Sequence, residues 1–169
     1  VVNALSENLK VEIFRDGKKY YIEFENGVTK APLKNVGNSD LNGTNVTFLP
    51  SSKIFSNTEF KIAILENRLK ELAYLNKGLK IELKDERKEK GKNLAFKFEG
   101  GVKEFVQDLN KTKSKIKNED NGVALEEPLY YQSKKNDINV ECSLLWNNSY
   151  NENVLCFTNN IPQKDGGTH

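Results

Sequence analysis

Apolar and charged residues alternate along much of the first half of the chain. Leu9, Val11 and Ile13 are interleaved with Lys10 and Glu12, the period-two pattern of a half-buried strand. Asp16-Gly17 follows, a pair that tolerates positive φ and predicts a hairpin turn. Tyr20, Ile22 and Phe24 give the return strand, opposite Tyr21, Glu23 and Glu25, and Asn26-Gly27 ends it. Ala31-Pro32 to Asn42 is rich in Gly, Asn, Ser and Asp and predicts a loop. In the next run Thr44, Val46 and Phe48 share one face, Asn45 and Thr47 take the other, and Pro50 closes the strand. Val1 to Ser6, ahead of all this, reads as the tail of a helix.

The period then changes. Ser56 and Glu59 have the spacing of a capping box and predict a helix start. Ile62, Leu65, Leu69 and Leu72 fall on one helical face, with Glu66 and Lys70 as an i,i+4 pair outside and Asn76-Lys77-Gly78 as the stop. Leu79, Ile81 and Leu83 predict a fourth strand, Lys84 to Lys92 a solvated connection, and Leu94, Phe96 and Phe98 a fifth strand. Glu99-Gly100-Gly101 marks a break, placed as a domain boundary, before a short helix with Val102, Phe105, Val106 and Leu109 on one stripe. Asn110 to Asn121 has almost no apolar residues and reads as mobile. Ile138, Val140, Cys142, Leu144 and Trp146 alternate as one long strand, and Val154 to Phe157 form another.

One polar position stands out. Thr44 places a hydroxyl on an otherwise apolar strand face, and a buried hydroxyl needs a partner. A backbone carbonyl or an ordered water would serve, and so would a ligand lying on the floor of a pocket. Gly43, just before it, has no side chain to keep another molecule off the backbone.

Composition narrows the classes. The 169 residues are enough for one good core or two small ones, with 30% charged and 37% hydrophobic positions. A formal net charge of +2, with acids beside the lysines, is no basic nucleic-acid footprint. No apolar run approaches a membrane span, and no basic leader of a secretory signal precedes the first strand. The sequence holds no methionine and reads as a piece of something longer. Cys142 and Cys156 lack metal-ligand spacing and read as buried free thiols.

The catalytic inventory is thin. The one histidine is His169, the last residue, which argues against a triad built on it. Carboxylates fall on outer faces rather than in acid–base pairs. Asn118 to Gly122 lacks the spacing of a calcium loop, and no phosphate-cradling glycine motif is present. The stretch Cys156 to His169 is too particular for a generic loop; it reads as a strand, a turn set by Pro162 and a pair of glycines.

These motifs carry a resemblance. Val1-Val2-Asn3-Ala4-Leu5-Ser6, Arg15-Asp16-Gly17-Lys18, Gly27-Val28 with Ala31-Pro32-Leu33, Gly43-Thr44 with Phe48 and Pro50-Ser51, Arg68 to Asn76, Glu99 to Lys103 and above all Cys156 to His169 resemble the gyrase B family of bacterial DNA gyrase, a type II topoisomerase. Asn118 to Tyr131 departs from the pattern. The resemblance implies an α+β fold: residues 1–98 as the C-terminal part of a GHKL-type ATPase domain, and residues 99–169 as the first part of a ribosomal-protein-like transducer domain. It also implies, by matching position, that Thr44 helps fix an adenine, that Gly43 leaves room for the base, that Val46 lines the pocket and that Arg15 stands at a rim used by aminocoumarin inhibitors. The general-base glutamate, the magnesium-binding asparagine, the aspartate that reads the adenine and the γ-phosphate-sensing pair match no position here, so no catalytic or metal-binding residue is assigned.

For the intact protein the resemblance implies ATP and magnesium as cofactors and a cytoplasmic setting away from membranes. The implied partners are DNA gyrase A, a second gyrase B chain closing as a dimer, and double-stranded DNA. The stretch alone is expected to bind neither cofactor and to be inactive. Two other readings stay open: the related topoisomerase IV subunit, and a non-catalytic β-rich interaction module in which Thr44 is merely structural.

Overall fold

The computed structural model describes residues 1–87, 91–116 and 126–163. The acidic stretch 118–122, the glycine pair of the last motif and His169 therefore lie outside the described residues. Two compact units divide the chain between Phe60 and Lys61, a packing division distinct from the 98/99 boundary expected from the resemblance.

The first unit is a four-stranded antiparallel sheet. Its strands are β1 (Ser6–Arg15), β2 (Lys18–Glu25), β3 (Val28–Asn38) and β4 (Gly43–Pro50), in the order β3-β2-β1-β4. A 3-10 turn over Asn3–Leu5 leads into β1 where a helix tail was expected. Asp16-Gly17 and Asn26-Gly27 form the two hairpin turns, all four residues having positive φ as a primed turn requires. The loop expected from Ala31 to Asn42 is in fact mostly strand β3. Proline is tolerated there because β3 is an edge strand and because the register shifts, so that Pro32 and Leu33 together fall opposite Ile22.

The second unit is built on helix α1 (Ile62–Leu75). The capping box does not form: Lys61 is the N-cap without a side-chain bond, and Asn57 Oδ1 instead accepts from the Glu59 amide in a local turn. Nor do Glu66 and Lys70 pair with one another; Glu66 holds Lys92 at 2.5 Å and Lys70 holds Asp108 at 2.6 Å. Tertiary partners displace the weak i,i+4 pair in both cases. The hairpin of β5 (Ile81–Lys84) and β6 (Asn93–Phe96) and the helix α2 (Gly101–Asn110) pack on α1.

The core of this unit is aromatic. Tyr74, 2% exposed, stacks on Phe98 at 3.6 Å and on Phe105 at 4.9 Å between ring centroids, with Ala73 fully buried beside it. Burial pushes the Tyr74 phenol well above its ordinary value, and the Asp108 carboxylate beside it adds to the shift. Asp108 accepts from Lys70 on α1 and from Lys111 just beyond α2, which ties the two helices together at their rims. At the start of α2, Gly101 has φ +61 and the Lys77 side chain lies where a Cβ would stand. Lys77 Nζ then donates to Tyr130 Oη at 3.2 Å.

Two further hairpins complete the unit. Strand β7 (Leu129–Lys135) pairs with β8 (Ile138–Leu144) across Asn136-Asp137. The sequence pattern missed β7 and ran β8 on to Trp146. Strand β9 (Cys156–Thr158) pairs with β10 (Ile161–Gln163) across Asn159-Asn160. The turn expected at Pro162 thus falls earlier, and Pro162 lies inside β10. Beyond Ile116 the segment read as mobile lies outside the described residues.

The Lys111 and Lys70 ammonium groups hold the Asp108 carboxyl below its ordinary value, at about 2. A carboxyl depressed on folding stabilises the fold above its unfolded pKa and loses that contribution as pH falls from about 4 towards about 2. Urea unfolding followed by the single tryptophan, Trp146, should show an acid-side loss of stability over that window, and Asp108→Asn should flatten it.

Candidate functional site

The pairing of β1 with its neighbours decides which side chains share a face. Arg15, Ile13, Val11 and Leu9 occupy alternate positions of β1 and therefore lie together. Thr44 stands opposite Ile13, Val46 opposite Val11 and Phe48 opposite Leu9. From β2, Lys18, Tyr20, Ile22 and Phe24 stand opposite the same four β1 residues. The sheet thus brings Thr44 and Val46 together on one largely apolar face, with Arg15 at its end.

Gly43 stands opposite Phe14, with φ 148 and nothing within 4 Å of where a Cβ would stand. The backbone just before Thr44 is open to approach from that side. Thr44 is exposed, as a strand that is one wall of an incomplete pocket should leave it, and its hydroxyl has no hydrogen-bond partner among the described residues. Val46 is 55% exposed. The Arg15 side chain reaches into solvent and pairs with Asp16 at 3.5 Å.

The opposite face is polar and internally satisfied. Glu12 pairs with Lys19 at 2.6 Å and accepts from Asn45 Nδ2 at 3.3 Å, and these bonds, Lys19 first, hold its carboxyl below its usual value. Glu23 accepts from Tyr21 Oη at 2.7 Å and Asn8 Nδ2 at 3.2 Å; the Tyr21 bond is the larger cause of its lowered pKa and raises that of the phenol in turn. Each carboxylate is surrounded by donors that stabilise its charged form, the reverse of what a general acid needs.

A cavity of about 290 Å³ opens at the other end of the apolar face, between Val2, Leu5, Phe48, Pro50, Phe55 and Phe60. Phe48 and Phe60 meet edge-to-face across it at 6.2 Å. None of Gly43, Thr44, Val46 or Arg15 lines this cavity. Among the described residues no group of three or more His, Cys, Asp or Glu side chains is placed to hold a metal ion. Cys142 and Cys156 are free thiols, but Cys142 is exposed and Cys156 only half covered, against the expectation of burial. Sequence reading missed Ile13, Tyr20 and Lys18 as the immediate neighbours of Thr44 and Arg15. The signal was available: a two-residue turn at Asp16-Gly17 fixes Arg15 opposite Lys18, and every pairing along the hairpin follows.

The fold is an α+β arrangement found in solved gyrase B ATPase structures. It matches the 43K ATPase domain of Thermus thermophilus gyrase B, a structure in complex with an aminocoumarin, with TM-score 0.79 and 35% identity over 95% of this chain and 42% of that one. The B-subunit of the DNA gyrase from Myxococcus xanthus shares the fold with TM-score 0.79, at 24% identity over 95% of this chain and 45% of that one. The family model of DNA gyrase B matches residues 101–169. The DNA gyrase B protein of Rickettsia prowazekii is 47% identical over 170 residues, covering 100% of this chain and 20% of that protein. Over its whole length the chain is similar to DNA gyrase B proteins, and it spans about a fifth of the length of the curated Rickettsia relatives that it matches.

An exposed threonine without a protein partner should be dispensable to the fold. Thr44→Ala is expected to change urea-unfolding stability by no more than about 0.5 kcal/mol. A loss above about 1.5 kcal/mol would give the hydroxyl a structural role.

Proposed function

We propose that the chain is a stretch of the ATP-hydrolysing gyrase B protein, with Gly43, Thr44 and Val46 forming one wall of its nucleotide pocket and Arg15 standing at the rim. The observation that carries this reading is the register. It sets Thr44 and Val46 side by side on an apolar face, places Arg15 at the end of that face, and leaves the Thr44 hydroxyl available. A flat apolar floor with one hydroxyl suits the edge of a purine ring, whose faces are apolar and whose edge takes hydrogen bonds. A guanidinium at the rim suits an anionic or carbonyl-bearing group that projects from the pocket.

On this reading residues 1–98 are part of the ATPase domain and residues 99–169 the beginning of the transducer. The intact protein uses ATP with magnesium, pairs with a second copy of itself and with DNA gyrase A, acts on double-stranded DNA and resides in the cytoplasm. No residue of the stretch is assigned as general base or metal ligand, so by itself it turns over no ATP. The part played here is recognition of the base, while the chemistry of hydrolysis and of DNA cleavage rests on other residues.

In the full-length protein, Thr44→Ala should weaken nucleotide binding by about 1–2 kcal/mol, because one base-side bond is left unmade. Calorimetric titration with a non-hydrolysable ATP analogue measures this, and an unchanged affinity would overturn the role of Thr44. Reconstituted with its gyrase A partner, the full-length protein should introduce negative supercoils into relaxed DNA. Relaxation and decatenation without supercoiling would identify a topoisomerase IV subunit instead.

A further inference from the structure

Arg68, Leu72 and Asn76 recur every fourth residue, so they form one stripe running to the C-terminal end of α1. Asn76 caps the helix twice over: its backbone N–H donates to Leu72 O at 3.1 Å and its Nδ2 donates to the same oxygen at 2.7 Å. That leaves Asn76 Oδ1 as a fixed acceptor pointing off the helix end. Asn160, in the turn between β9 and β10, donates its Nδ2 to this oxygen at 3.0 Å. Its backbone carbonyl accepts from Arg68 Nη2 at 2.6 Å. One turn residue is therefore gripped at two points by residues 84 and 92 positions away in sequence.

Among the described residues, both hydrogen bonds that leave the hairpin Cys156–Gln163 run through Asn160. Its two strands are three residues long each, too short to hold a free-standing hairpin in water. Phe157 and Cys156 are only half-buried, so apolar burial adds modestly. Helix α1 does not depend on this contact. Its anchorage is the stack of Tyr74 on Phe98 and Phe105 and the Lys70–Asp108 pair. We propose that Asn160 is a single-residue latch, fastening the β9–β10 hairpin to the end of α1, and that its release frees the hairpin while the helix packing stays intact. The hairpin is then the part of this unit that opens first, as a discrete local unit rather than by general unfolding.

Turn geometry and latch chemistry can be separated. Asn159 and Asn160 have φ 49 and 66, so glycine satisfies the backbone at either position. Only the Asn160 side chain reaches Asn76. Asn159→Gly should thus leave the hairpin fastened, whereas Asn160→Gly keeps the turn and the Arg68 bond to the backbone carbonyl and removes the side-chain bond to Asn76, half of the grip. Asn76→Ala breaks the same bond from the helix side.

The two thiols give the readout. Cys156 lies in the hairpin and is half covered, and Cys142, on β8, is exposed and serves as an internal reference. In the full-length protein, alkylation of each cysteine is followed by peptide mass spectrometry. Asn160→Gly and Asn76→Ala should each accelerate labelling of Cys156 about tenfold, the effect of one part-buried hydrogen bond. Cys142 should be unchanged, and the double variant should be no faster than the faster single one. Wild-type labelling of Cys156 in Asn160→Gly would overturn the latch. So would equal acceleration by Asn159→Gly, or a parallel rise at Cys142.

Discussion

Ile13 stands opposite Thr44, and the chemistry open to the first unit depends on that pairing. Side chains in a strand alternate between faces, so a slip of one residue would turn Thr44, Val46 and Phe48 onto the polar side and Asn45 and Thr47 onto the apolar one. Two features hold the register. The primed turn at Asp16-Gly17 fixes β2 on one side of β1, and the burial of Leu9 opposite Phe48 and Phe24 sets which face is apolar. The polar network of Glu12 with Lys19 and Asn45 enforces the same choice from the other face, since it joins side chains from three strands that meet only in this register.

The second unit solves a different problem. Its strands come as two-stranded hairpins, each too small to bury a face by itself. Helix α1 supplies what they lack. Tyr74 gives it an aromatic core with α2 and the residues after β6, and the Lys70–Asp108 pair and the Lys77 side chain over Gly101 fix the rims. The hairpin β9–β10 hangs on the end of the same helix through Asn160. Arg68 to Asn76 and the run from Cys156, two of the motifs that carry the resemblance, thus meet in one contact at Asn160.

Period-two alternation made β1, β2 and β4 legible, and period 3.6 did the same for α1 and α2, because each presents a continuous apolar stripe. Turns were legible where glycine marked them, at Asp16-Gly17 and Asn26-Gly27. The turns at Asn136-Asp137 and Asn159-Asn160 have the same positive φ at both residues but no glycine. The first hid β7; the second made Pro162 look like the corner. Edge strand β3 was hidden by Pro32, which a register shift accommodates. The capping box at Ser56 and Glu59 gave way to a local turn at Asn57, and the Glu66–Lys70 pair gave way to tertiary partners. Of the candidate site, the residues Gly43, Thr44, Val46 and Arg15 were matched by resemblance, whereas their common face needed the register. The exposure of Thr44 followed from the resemblance, which leaves the facing wall of the pocket outside this stretch; the alternating pattern alone shows which face is apolar but not what covers it.

The β1–β4 face carrying Thr44 and Val46 is proposed as a wall of a nucleotide pocket. The most direct measurement is a crystal structure of the full-length protein with a non-hydrolysable ATP analogue. The expected result is an adenine lying against Val46, with Thr44 Oγ1 within hydrogen-bond distance of the base or of a water bound to it, and Arg15 at the mouth. An adenine seated elsewhere, with Thr44 still facing solvent, would contradict it.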